Sequence, residues 1–161
     1  MSEPYRDPPP GLEGGLVKVM IELPRAEWHK HGAEWLWAEH WGMNLYRLRN
    51  TPLYAEGFSY GDVVEARPVE GGFIVQRVAR RGGHSTYVFL LSKEAAESHG
   101  WPKFWQPLEE LGCRYESRGR LYAVDVPPEV DVHKAYQLLE AGEKAGVWGF
   151  QEQHYGHPRK Q

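Results

Sequence analysis

Cysteine is nearly absent: Cys113 is the single one among 161 residues, so no disulfide can form within the chain. No charged-then-apolar leader is read at its start, and the two features together give the expectation of a protein kept in a reducing cytoplasm. Long apolar runs are missing as well. The longest are short stretches such as residues 87–91, far below the roughly 20 residues that a membrane-spanning helix requires. An excess of positive charge is also lacking, since 19 Lys and Arg face 22 Asp and Glu for a formal net charge of -3. Bulk electrostatics therefore give no reason to expect nucleic acid as the partner, although Arg77, Arg80, Arg81, Arg114, Arg118 and Arg120 supply local positive charge.

What the chain does contain is the balance of a folded protein, 41% hydrophobic and 25% charged. Its length suits one ordinary domain or two small halves on a common core. Residues 1–14 carry Pro4, Pro8, Pro9 and Pro10 with Gly11 and Gly14, which neither form helix nor supply apolar mass, and are expected to be a flexible leader.

From residue 15 to 83 the pattern is that of strands. Residues 16–23 alternate with a period of two, and 35–39 and 44–49 read as a hairpin turned at 41–43, with Trp35 and Trp37 assigned to the core face. Residues 53–61 show no period and read as a structured loop, and 62–67 with 72–78 make a second hairpin closed by the turn 68–72. About five strands suit a small barrel.

After the glycine-containing break at 80–83 the character changes. Residues 85–92 read as a strand, and 92–111 as two short helices, capped by Ser92 and interrupted by Gly100, Pro102 and Pro107. Residues 113–117 and 121–126 are two further strands around a turn at Gly119. Asp131 then caps a helix that places Val132, Ala135, Tyr136 and Leu139 on one face, and 147–154 is the last strand. The order over 84–155 is that of a ferredoxin-like βαββαβ unit, followed by a tail at 156–161. The expected fold class is thus α+β, with a barrel-like N-terminal half packed on a ferredoxin-like C-terminal half.

Four rows, NTPLYAEGFSYGDVVEA at 50–66, GGHSTY at 82–87, LEELGCRYE at 108–116 and AVDVPPEVD at 123–131, resemble a bacterial family known as domain of unknown function 4265. The resemblance runs from Val17 to about Tyr155, with the tryptophan-rich segment 93–106 as a departure from the pattern expected of relatives. It implies a fold and an intracellular setting, and it implies no activity, so any chemistry must be argued from the side chains.

The loop 53–62 offers Tyr54, Glu56, Tyr60 and Asp62 near two glycines, a mixture of phenols and carboxylates suited to a small ligand. The plainer alternative is that Tyr54, Phe58 and Tyr60 cover the barrel end. His84 and Ser85 stand at the expected junction of the halves, where clefts form and where a histidine titrates near neutral pH. No Gly-x-Ser-x-Gly elbow is present to present a serine nucleophile. His29 and His31 with His40, and His154 with His157, have spacings that could bring two imidazoles together, yet no His-Glu-x-x-His motif or cysteine set completes a metal site, and neither metal nor cofactor is assigned. Trp101, Phe104 and Trp105 read as an exposed anchor for a protein partner or a self-contact.

The reading these features favour is a non-catalytic binding module with a small-molecule or protein partner at the junction of the halves. Three other classes stand beside it: a small enzyme built on Tyr54, Tyr60, Asp62 and His84, an immunity-type protein that blocks a toxin, which suits the small size and acidic balance, and an RNA-binding protein, whose usual run of Lys or Arg, Gly, Phe, Gly, Phe is missing here. For Cys113 the sequence offers burial as a small apolar residue at a strand start, against activation by Arg114 beside it. Burial predicts that iodoacetamide labels the native protein much more slowly than the unfolded chain; equal rates would mark an exposed thiol.

Overall fold

A computed structural model describes residues 15–26 and 28–158. The expected leader, 1–14, and the end of the expected tail, 159–161, lie outside the described residues. The fold is mixed α+β and mostly sheet, with three helices and two sheets among the described residues.

The first sheet is built from β1 (Leu16–Glu22), β2 (Ala33–Gly42), β3 (Leu45–Leu48), β4 (Val63–Val69) and β5 (Gly72–Arg80), neighbours in that order. The consecutive pairs are antiparallel, and β1 also pairs in parallel with β5 through Val19 opposite Phe73 and Met20 opposite Ile74, so the ladder returns to its first strand. Val19, Ile21, Leu36, Ala38, Tyr46, Leu48, Val64 and Ala66 fill the enclosed space.

The expectation for Trp35 and Trp37 is corrected. A period of two offers only two phases, and the inward phase of β2 is Glu34, Leu36 and Ala38, all buried, which leaves both tryptophans half-buried on the other face. There the Lys18 ammonium lies 5.0 Å from the centre of the Trp37 ring. The second hairpin is also tighter than its proline suggests. Pro68 and Val69 remain in β4, opposite Phe73 and Gly72, and the turn is Glu70-Gly71 with Gly71 at φ 87°.

The second sheet contains β6 (Ser85–Leu91), β7 (Arg114–Arg118), β8 (Leu121–Val126) and β9 (Trp148–His154), in the order β7-β8-β6-β9 with every pair antiparallel. One face is covered by α1 (Lys93–Ser98), α2 (Pro102–Leu111) and α3 (Val132–Lys144), through a core that includes Tyr87, Phe89, Trp105, Leu108, Leu139 and Trp148. Local chemistry sets the helix ends. Ser92 Oγ accepts from the Ala95 amide at 3.1 Å, Asp131 Oδ1 from the His133 and Lys134 amides, and Gly112 at φ 111° ends α2.

Three expectations for this half are corrected. Pro107 lies inside α2 rather than interrupting it, and the break between the helices falls at 99–101, where His99 takes the left-handed conformation at φ 58°. Tyr136 is 43% exposed, so the buried stripe of α3 is Val132, Ala135, Leu139 and Gly142. The tryptophan-rich segment is not an exposed anchor: Trp105 is 5% exposed and belongs to the core, and Trp101 and Phe104 are half-buried against it. An amphipathic helix lying on a sheet must turn its apolar stripe inward, and Phe104, Trp105 and Leu108 are that stripe, with Trp101 at the N-cap.

A smaller cluster joins the β3–β4 loop to the second sheet, with Leu53 and Tyr54 packed on Val88 of β6 and Ala123 of β8. Much of this loop is buried without a strand partner, so its amides need other acceptors. Carboxylates provide them. Glu34, with no exposed surface, accepts from the Leu53 amide at 2.7 Å through Oε2 and from the Tyr54 and Ala55 amides at 3.0 and 2.9 Å through Oε1. Glu116 of β7 accepts from Asn50 Nδ2 at 2.7 Å and from the Thr51 amide at 2.5 Å. Asp62 accepts from the Ser59 amide at 3.0 Å and the Gly82 amide at 2.8 Å. A glutamine at 34 turns an amide N–H toward one of the loop's own N–H groups. Glu34→Gln is therefore expected to lower unfolding free energy by about 1–3 kcal/mol and Glu34→Ala by roughly twice that, read from urea denaturation.

Candidate functional site

The six loop and junction candidates separate into three groups. Asp62 and Ser85 are fully buried and held by structural bonds. Besides its two amides, Asp62 receives Arg81 Nη1 at 3.1 Å, and Arg81 also donates to the Gly57 carbonyl at 2.6 Å. Ser85 Oγ accepts from the Gly156 and His157 amides at 2.9 and 3.2 Å and lies 2.6 Å from His157 Nδ1. The other ring nitrogen of His157 faces the Pro127 and Val130 carbonyls at 2.9 and 3.1 Å, so it must carry the proton and Nδ1 must accept from the serine. Tyr54 and Glu56 lie apart from the junction histidine: Tyr54 is 7% exposed, its ring tilted against those of His29 and His31, and Glu56 is exposed.

Tyr60 of the β3–β4 loop and His84, just before β6, do come together, with ring centres 5.4 Å apart. His84 Nδ1 lies 2.7 Å from Asp125 Oδ1, and the other oxygen of Asp125 receives Arg114 Nη2 at 2.9 Å. Asp125 is 2% exposed, while His84 is 13% and Arg114 60% exposed, so a buried carboxylate orients two groups that reach the surface. The Arg114 guanidinium is 4.9 Å from the Tyr60 ring centre and that of Arg49 is 5.7 Å away. Arg49 also donates to the Tyr60 hydroxyl at 3.3 Å and pairs with Glu39. Burial works against the charge of Arg114, but the hydrogen bond to Asp125 and its field outweigh this and raise the pKa.

Because the carboxylate takes Nδ1–H, neutral His84 carries its lone pair on Nε2, and no group among the described residues bonds to that atom. It stands beside the backbone of Gly61, where an added Cβ would lie 3.4 Å from it. Asp125, Arg114 and Arg49 were not among the candidates drawn from the sequence. A signal for two of them exists: the tight turn at Gly119 sets Arg118 opposite Leu121, and counting back along that register puts Arg114 opposite Asp125.

A second serine and histidine also meet. Ser59 Oγ lies 2.8 Å from His154 Nδ1 and 2.6 Å from Thr86 Oγ1. Ser59 and Thr86 have no exposed surface, so this is a tie between the β3–β4 loop and the second sheet and not an accessible nucleophile. Cys113 is 2% exposed, and burial together with Asp125 pushes its thiol up to about 12. Among the described residues no group of three or more His, Cys, Asp and Glu is arranged to hold a metal ion. No helix among them is long and apolar enough to cross a membrane.

The fold and site define a mixed α+β protein whose two sheets share a polar seam. Over residues 34–150 the chain matches the family described as a domain of unknown function (DUF4265), and it belongs to that family. The matched segment contains Tyr60, His84, Arg114 and Asp125. A structure described as "Novel crystal structure of a hypothetical protein from Neisseria gonorrhoeae" is similar with a TM-score of 0.72 and 15% identity, over 88% of this chain and 96% of that one. At that identity the likeness concerns the fold alone. No curated protein matches the chain.

Burial lowers the pKa of His154, Arg81 lowers it further, and Asp62 and Glu152 offset this only in part. A histidine that binds its proton less readily when folded favours the folded state above the unfolded pKa near 6.5, and this contribution is lost as pH falls through that value toward the lower folded pKa. The expected outcome is a midpoint below 6.5 for His154 in NMR titration. His154→Gln should also lose less melting temperature than wild type between about pH 7.5 and 5.5, a window that brackets the histidine range.

Proposed function

We propose that the protein is a binding module whose small-molecule site lies at the seam between a barrel-like half, 15–83, and a ferredoxin-like half, 84–155. The pairing of β1 with β5 and the strand order β7-β8-β6-β9 support that description of the halves. The observation that carries the site is the unpartnered Nε2 of His84, fixed in direction by Asp125 and flanked by Tyr60 and Arg114. A ligand suited to it donates a hydroxyl or amine hydrogen to Nε2 and presents an oxygen to the guanidinium, as a small hydroxy acid or amino acid does.

A second reading, a small enzyme, draws on the same atoms, because an imidazole backed by a carboxylate is a competent proton acceptor. The RNA-binding alternative finds less support. Tyr87, Phe89 and Tyr122 of the central strands pack on the helix side of the sheet, whereas the other face carries Val88, Leu90, Leu121 and Ala123 and lacks the aromatic platform on which bases stack. The protein-anchor reading loses the exposed tryptophan element on which a contact surface was expected.

The test is a thermal-shift and calorimetric screen of the full chain against small hydroxy acids and amino acids. A ligand that binds the folded state is expected to raise the melting temperature by several degrees at about 100 times its Kd. His84→Gln and Arg114→Gln should each weaken it at least tenfold without lowering the melting temperature of the free protein by a comparable amount. Binding that both substitutions leave intact would overturn the site, and turnover of the bound compound, lost in His84→Gln, would favour the enzyme.

A further inference from the structure

Outside that seam, described residues of the segment joining β1 to β2 line a cleft of about 920 Å³. Arg25, His29, Lys30 and His31 line it. Among the described residues neither Arg25 nor Lys30 has a carboxylate partner, in contrast to Arg49, Arg81 and Arg114, which are all paired. His29 is only 8% exposed, packed between Trp28 at 4.7 Å and Tyr54 at 5.2 Å, ring centre to ring centre. Its Nδ1 accepts from the His31 amide at 3.2 Å, which leaves the proton of the neutral ring on Nε2. That donor has no partner among the described residues, yet it is not one of the fully enclosed unpaired atoms, a position held only by Trp105 Nε1 among them. His29 itself lines the cleft.

We propose that this cleft is a second ligand site, one for a small oxyanion, with His29 Nε2–H as the buried donor and Arg25 and Lys30 as its charge partners. The chemistry is that of a carboxylate or phosphate group: two cations with no carboxylate partner among the described residues create the potential, and a packed N–H fixes the position of one oxygen. Burial and the neighbouring His31 lower the pKa of His29 against the opposing fields of Glu34 and Glu56, so at neutral pH the ring acts as a neutral donor and the two long side chains carry the charge. Glu34 does not compete for this donor, since its carboxylate is held by the amides of Leu53, Tyr54 and Ala55. The site does not rest on the seam reading, and it shares none of that site's residues.

The experiment follows the imidazole nitrogens of the full chain by long-range proton–nitrogen NMR while inorganic phosphate, and separately acetate, is added at constant ionic strength. A saturable shift of the His29 signals with either anion is expected, and the preference between the two identifies the oxyanion class. The double variant Arg25→Gln, Lys30→Gln should weaken it at least tenfold, whereas Arg25→Lys, Lys30→Arg should keep it within about threefold, since the charge remains. A shift that never saturates, one that survives loss of both charges, or one confined to His84 would overturn the proposal.

Discussion

The tertiary structure hangs on the need to give acceptors to the amides of the β3–β4 loop. That loop is buried between two sheets and belongs to neither ladder, so each enclosed N–H would cost about 1–3 kcal/mol if left unpaired. Three carboxylates, one from β2, one from β7 and one from the loop's own end, meet this requirement. Glu34 is the most telling of them. It occupies an inward position among Leu36 and Ala38, where a carboxylate is tolerated only because three amides converge on it.

The same arrangement explains why polar groups gather at the seam. Glu116 reaches from the second sheet to Asn50 and Thr51, while Asn50 Oδ1 accepts from the Trp37 amide of the first sheet at 2.7 Å, so one short run of loop links both. Tyr60 is carried at the far end of that run, and fixing the backbone at Ser59 and Asp62 fixes its ring beside His84. Asp125 then orients His84 and Arg114 together. The seam is thus stiff in its buried layer and open at the imidazole Nε2, which is the division of labour expected where a binding group must be held in place by its neighbours.

Much of the architecture was legible in the sequence because it depends on local periodicity and end signals. Residues 121–126 read as a strand and Asp131 as a helix cap, and both stand in the structure with the same residues. Family membership was legible too, through rows that fall largely within residues 34–150. The tryptophans were misread for a physical reason: size suggests burial, but in β2 the phase of alternation decides which side chains enter the core, and phase is set by strand pairing. The same holds for residues 101–105, where exposure was inferred from an abundance of aromatics before the helix face they occupy was known.

By itself the sequence determined the α+β class, the order of strands and helices, the helix caps and the family, since each rests on contacts close along the chain or on a recognisable row of residues. Only the tertiary structure decided that Glu34 faces inward, that Asp62 and Ser85 are structural, that Tyr60 meets His84, and that Asp125 leaves one imidazole nitrogen free. Most of those facts join residues far apart along the chain: 19 positions between Glu34 and Leu53, 41 between His84 and Asp125, and 72 between Ser85 and His157. Separations of that size carry no local pattern; they are fixed by the register of strands and by the demand that every buried polar group find a partner.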